Sequence, residues 1–217
     1  MIERRKQLLA LSALVLPDRD PPAAFIADVH AESAGLRTVW TYDHLSWPAL
    51  KERPWYASVP LLAAAAVATT RVRLGTRVAT PNFRHPVTFA KEIMTLDRIS
   101  GGRLDVGVGA GTEGPDATVL GDVSRDRRER TERFAEWIGL LDHLLTHHVT
   151  TVRGERFSAV DARQIPGCVQ HPRVPLTVAA AGPRAAAARE YGVLVHPDTF
   201  EVDLLATARL RSAEPVG

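Results

Sequence analysis

Short apolar runs alternate along the chain with longer stretches of helical periodicity, and turn residues separate the two. Residues 11–16 form an apolar run that stops at Pro17 and a charged turn, and they read as a first, buried strand. Pro21 and Pro22 then open a helix with Phe25, Ile26 and Val29 on one face, closed by Gly35. Residues 38–42 predict a second strand, followed by a Trp- and Pro-rich loop over 43–56. Residues 57–70 predict an alanine-rich helix with Pro60 in its first turn, where a missing N–H is harmless. A third strand follows at 71–78, then a loop over 80–86. Pro86 starts a helix with Val87, Ala90 and Met94 on one face, stopped by Ser100-Gly101-Gly102. A fourth strand, 104–108, runs straight into a glycine-rich turn. Phe134, Trp137, Ile138, Leu141, Leu144 and Leu145 recur at helical period and mark a long amphipathic helix. Residues 149–163 read as a small hairpin excursion. Residues 174–179 predict strand five, and Gly182-Pro183-Arg184 open a helix to Tyr191. Strand six at 192–196 and a helix at 201–211 complete the pattern.

Strands alternating with helices at this spacing imply an α/β fold with parallel strands. Periodicity alone leaves a doubly wound sheet and a (β/α) barrel open. In both, function belongs at the carboxyl ends of the strands. The loops there carry Asp43-His44, Thr80-Pro81, residues 109–113 and residues 180–184.

Composition changes this picture mostly by exclusion. The 217 residues are 45% hydrophobic and 24% charged, which excludes a disordered chain and supports one domain over 1–217. Lys and Arg number 27 against 25 Asp and Glu, a net charge of +2. The densest charged run, 125–133, interleaves acids with bases, with Glu129 and Arg133 at helical spacing. It reads as a solvated helix start, and no nucleic-acid partner is expected. No apolar run approaches the roughly 20 residues of a membrane span. The N-terminal Arg4-Arg5-Lys6 precedes an apolar run without a small-x-small cleavage site, so it does not read as a signal peptide. A single cysteine, Cys168, excludes an internal disulfide and suits a reducing, cytoplasmic setting.

Three strand-end segments carry candidate chemistry. Asp43-His44 puts a histidine, the side chain suited to proton exchange near neutrality, at the end of strand two. Residues 109–114 match G-x-G-x-x-G, where glycines let a backbone approach a phosphate or ring closely. As a dinucleotide fingerprint the match is poor, since it follows strand four and Pro115 comes next. Ala180-Ala181-Gly182-Pro183-Arg184 opens a helix whose N-terminus would face an anion. No metal-ligand motif and no nucleophile elbow occur.

These residues resemble the bacterial-luciferase-like flavin and deazaflavin oxidoreductases. The likeness rests on Thr38-Val39-Trp40-Thr41-Tyr42-Asp43-His44 and on Leu74-Gly75-Thr76-Arg77-Val78-Ala79-Thr80-Pro81. Arg84-His85-Pro86 and Lys91-Glu92 add to it. Its most specific stretch is Thr95-Leu96-Asp97-Arg98-Ile99-Ser100-Gly101-Gly102-Arg103-Leu104, leading into Gly107-Val108-Gly109-Ala110-Gly111. Val178-Ala179-Ala180-Ala181-Gly182-Pro183-Arg184 completes a resemblance that spans roughly residues 11–197.

The resemblance implies a TIM-type (β/α) barrel that binds coenzyme F420 or FMN and acts on a small organic molecule by hydride transfer or monooxygenation. It implies a bulge at the end of strand three, often with a non-proline cis peptide, behind the cofactor ring at Val78, Ala79 and Thr80. The Thr80 hydroxyl is then expected to reach the ring. His44 matches the proton-handling residue, with Asp43 binding the cofactor or orienting His44. Gly109, Gly111 and Thr112, with Ala180, Ala181, Gly182, Pro183 and Arg184, match segments that hold the ribityl and phosphate. Trp47 and Glu113 approximate substrate-side residues, with Trp47-Pro48 in reversed order and Glu113 offset by one position. Family members usually continue through strands seven and eight, so the expectation is an incomplete barrel of about six βα units. Its open edges would invite a homodimer. Two further readings stay open: a catalytically impaired, subunit-like paralogue, and a nicotinamide-binding doubly wound domain.

Overall fold

The computed structural model describes residues 11–32, 35–179 and 194–196. Six parallel strands form one sheet in the order β1-β2-β3-β4-β7-β8. They are β1 (Ser12–Leu14), β2 (Thr38–Thr41), β3 (Arg73–Ala79), β4 (Leu104–Val108), β7 (Leu176–Ala179) and β8 (Leu194–His196). An antiparallel hairpin, β5 (Val149–Arg153) with β6 (Ser158–Arg163), forms the excursion expected between the fourth and fifth parallel strands. Helices α1 (Ala23–Glu32), α2 (Ser58–Ala68), α3 (Pro86–Ile99) and α4 (Arg127–Thr146) link the strands. Spatial order follows chain order without a reversal. A doubly wound sheet reverses at its switch point, so the arrangement is that of a barrel wall and removes the basis of the doubly wound reading.

Strand alternation divides the sheet into two faces. Val39, Leu74, Val106, Val108, Leu176 and Val178 are buried together with Phe25, Leu62, Phe89, Trp137 and Leu141 of the four helices. The other face carries Trp40, Arg73, Gly75 and Asp105. At Gly75 a Cβ would run into the Trp40 ring, so glycine there makes room for the indole.

Several expectations need correction. The first strand is not buried: Ser12 is exposed and Ala13 and Leu14 are half-buried, while Val15 alone enters the core. Its apolar character was legible, but not its place at one end of the strand order. Glu129 does not pair with Arg133. It turns back to Asp126 in a capping box, receiving the Asp126 N–H at 3.1 Å while Asp126 accepts from the Glu129 N–H at 2.8 Å. The first helical amides lack partners within the helix, and that demand outweighs a surface ion pair. The pair that forms is Arg128–Glu132, at 2.8 Å. The helices expected over 182–191 and 201–211 lie outside the described residues. No helix among the described residues is long and apolar enough to cross a membrane.

The segment most specific to the resemblance is a joint at the base of the sheet. Gly101 and Gly102 take positive φ (65° and 84°) and turn the chain from α3 into β4. The Arg103 guanidinium then donates to Ala66 O, Thr69 O, Val72 O and Ser100 O, tying the end of α2 to β3 and β4. Fully buried Asp97 accepts from the Val169 and Gln170 amides at 2.6 and 3.1 Å.

Candidate active site

The opposite, carboxyl ends of the strands hold the candidate chemistry. Thr41 donates its hydroxyl to Val15 O at 2.8 Å and fixes the end of β2. The next residues diverge. Asp43 is buried, 2% exposed, and its carboxylate receives Arg84 Nε at 2.6 Å, Arg84 Nη2 at 2.7 Å and Ser58 Oγ at 2.6 Å. Arg84 also reaches Glu92 at 2.7 Å. Burial works against the Arg84 charge, but the two carboxylates outweigh it and raise its pKa above the ordinary value. Contrary to one of its two expected roles, Asp43 does not orient His44; both of its oxygens are taken by Arg84 and Ser58.

Asp116 orients His44 instead. The His44 Nδ1 meets Asp116 Oδ2 at 2.5 Å, while Asp116 Oδ1 accepts from the Leu45 and Ser46 amides at 2.8 and 3.3 Å. An ionised carboxylate is acceptor-only, so Nδ1 carries a proton, and in the neutral form of the ring the lone pair is on Nε2. Asp116 lies in a single 3-10 turn, Pro115–Ala117, just beyond β4. The sequence reading stopped at Glu113 and missed it; the available signal was a second carboxylate in the same strand-end loop.

An aromatic stack backs this pair. Trp47 lies parallel to Tyr42 (centroids 5.2 Å apart, 6° between planes) and stacks with Trp55 at 6.3 Å. The His44 ring meets Trp47 edge-on at 5.0 Å, and Trp55 Nε1 donates to His44 O at 2.9 Å. Together His44, Ser46, Trp47, Thr112, Pro115 and Asp116 help line a cavity of about 250 Å³. Glu113 is not part of that lining. It is exposed and pairs with Arg130 at 2.7 Å.

The end of β3 is irregular. Its register with β4 shifts between Thr76 and Ala79, and the Arg77–Val78 peptide is cis. Thr80 is buried, and its hydroxyl oxygen accepts the Asn82 N–H at 3.2 Å. The glycine turn packs against this segment. A Cβ on Gly109 would lie 2.9 Å from Val78 Cγ2, and one on Gly111 (φ +75°) would lie 2.6 Å from Asn82 Nδ2. Beside the bulge, the Nη2 of Arg77 is buried and has no hydrogen-bond partner among the described residues. Residues 180–184 lie outside the described residues.

The family model described as luciferase-like monooxygenase matches residues 25–211. The chain belongs to that family. A curated relative from Beutenbergia cavernae, named F420-dependent glucose-6-phosphate dehydrogenase, is 39% identical over 170 residues, covering 72% of this chain and 46% of its own length. This luciferase-like chain thus spans about half the length of the curated relatives it matches. The crystal structure of a monooxygenase from Streptomyces bottropensis superposes with a TM-score of 0.70 at 27% identity, covering 86% of this chain and 59% of that one. An F420-dependent secondary alcohol dehydrogenase, solved with an F420–acetone adduct, gives a TM-score of 0.77 at 23% identity over 87% of this chain and 57% of that one, a likeness of fold.

Proposed function

We propose that this chain carries the proton-handling side of an oxidoreductase that uses coenzyme F420 or FMN on a small alcohol or carbonyl compound. The observation that carries the reading is His44 held by Asp116 at the edge of the cavity. The residues fit such a cofactor: a bulged strand end packs closely on a glycine turn, and beside it the Arg77 guanidinium has a buried nitrogen without a partner among the described residues. Those backbone groups, from Val78 to Thr80 and at Gly109, Gly111 and Thr112, would hold the ring and its tail. The cofactor, when bound, supplies the hydride acceptor or donor.

Asp116 keeps the Nδ1 proton in place, which leaves Nε2 to accept the hydroxyl proton of an alcohol or to return it to a carbonyl oxygen. Trp47 and Tyr42 pack edge-on against the imidazole, and Trp55 holds the His44 carbonyl. Asp43, locked to Arg84 and Ser58, anchors the backbone from which His44 projects. The names of the curated F420-dependent relatives support the deazaflavin.

Fluorescence titration with F420 and with FMN tests the reading, which fails if neither binds below millimolar concentration. His44→Ala should lower turnover by roughly 10²–10⁴ and leave the cofactor dissociation constant unchanged. Cofactor binding with no turnover in the unsubstituted chain would instead support a subunit-like relative.

A further inference from the structure

Arg73 and Gly75 alternate along the regular part of β3, and Arg77 follows where the register with β4 shifts. The two arginines have opposite environments. Arg73 is saturated: it donates to both oxygens of Asp105 at 2.7 Å, to Leu104 O at 2.9 Å and to Gln170 Oε1 at 3.0 Å. Arg77, four residues and about 13 Å further toward the carboxyl end at the usual rise per residue, is half-buried, and its Nη2 is buried without an acceptor among the described residues. Arg133 also has a buried unpartnered nitrogen, yet it still donates Nη2 to Pro81 O and lies over the Phe157 ring at 4.6 Å. Among the described residues Arg77 makes no such contact, and only part of its guanidinium reaches solvent.

A buried donor without an acceptor is rare in native structures, and a charged one is costly. Arginine cannot shed its proton to escape the cost. An acceptor from outside the described residues would satisfy it, at the strand end where β3 shifts register and Gly109 packs on Val78. The guanidinium fork matches two neighbouring acceptors in one plane and strengthens when they carry negative charge. A reduced flavin-type ring offers that edge: adjacent carbonyl oxygen and nitrogen acceptors sharing an anionic charge.

We propose that Arg77 receives the anionic edge of the reduced cofactor ring and so sets the preference of the site for the reduced form. This rests on the cofactor reading above. A cation there stabilises the negative charge that this edge of the ring carries in the reduced form and so raises the midpoint potential of the bound couple.

The test uses the whole chain as wild type, Arg77→Gln and Arg77→Lys, with the cofactor that the wild type binds. Dissociation constants for its oxidised and reduced forms are measured anaerobically, and the midpoint potential by dye equilibration. Arg77→Gln should weaken the reduced form at least tenfold more than the oxidised form. That fold-change equals a fall of about 30 mV for a two-electron couple. Arg77→Lys should recover most of the difference. The same selective loss is expected with the phosphate-free analogue, riboflavin in place of FMN.

Three results would overturn the proposal. One is equal loss for both redox forms. Another is an effect confined to the phosphate-bearing cofactor, which would assign Arg77 to the tail. The third is a ligand-free Arg77→Gln melting more than about 3 °C below wild type, which would reveal a partner within the protein. Failure of the wild type to bind either cofactor is a different outcome, and it removes the underlying function instead.

Discussion

Asp43 and His44 are consecutive, yet one is a structural anchor and the other is presented to the cavity. The strand-end position made both legible in the sequence. Their division of roles was not, because it depends on Arg84 and Asp116, and Asp116 lies 72 residues from His44 in the chain. A contact at that separation has no local signature. The role of Asp116 is testable without a substrate. Nitrogen-15 spectra of the wild type should show His44 protonated at Nδ1. Asp116→Ala should release the ring to the Nε2–H tautomer, while the bound cofactor affinity stays the same. A tautomer unchanged by the substitution would remove Asp116 as the positioning residue. Trp47 lines the cavity despite its reversed order with Pro48, since stacking on Tyr42 depends on the ring's place and not on the neighbour. Glu113, one position off, turns outward to Arg130.

At the scale of elements, boundaries follow local chemistry. Helix α3 begins at Pro86, and His85 Nδ1 accepts the Val87 N–H at 3.3 Å, both as N-terminal signals require. Helix α2 stops at Ala68, two residues before the expected end, where Thr69 turns extended and its hydroxyl closes onto Ala65 O. The hairpin was legible as an excursion, but its fastening was not. Glu136 of α4 accepts the backbone N–H groups of Arg156 and Phe157, both at 2.8 Å, beside the Arg156 charge. Burial opposes the Glu136 charge, and these donors overcome it, so its pKa lies below the ordinary 4.5. The sign follows. Below pH 4.5 the unfolded chain binds a proton that the folded chain resists, so this stabilisation is complete above 4.5 and is lost as pH falls through the folded value. Melting curves should show wild type losing more stability than Glu136→Gln on acidification through that range. Hydrogen exchange at the Phe157 amide should accelerate in the same window.

For the molecule as a whole, the alternation of strands and helices made the parallel sheet legible, and family likeness decided for a barrel before the strand order did. What periodicity could not reveal is which strands end the order, hence the misplaced burial of β1. Nor could it reveal the polar ties that join elements. Arg84 is the largest of these near the mouth. It links Asp43, Ser58 and Glu92, lies over the Phe89 ring at 4.6 Å, and lends its carbonyl to Trp137 Nε1 at 2.7 Å. Arg84→Ala leaves the Asp43 carboxylate buried beside a single hydroxyl and should destabilise the fold by about 3–5 kcal/mol. Adding Asp43→Ala should restore part of that loss, since no orphan charge remains. Urea titration of the two single variants and the double variant measures the coupling, and strict additivity would refute it. The base of the sheet is held differently, by the Arg103 and Asp97 joint and the saturated Arg73–Asp105 pair, all remote from His44. The consequence is modularity. A scaffold clamped at its base can exchange the loops over 44–56 and 112–125 without renegotiating its foundations, so new substrates become accessible through small, local and separable changes.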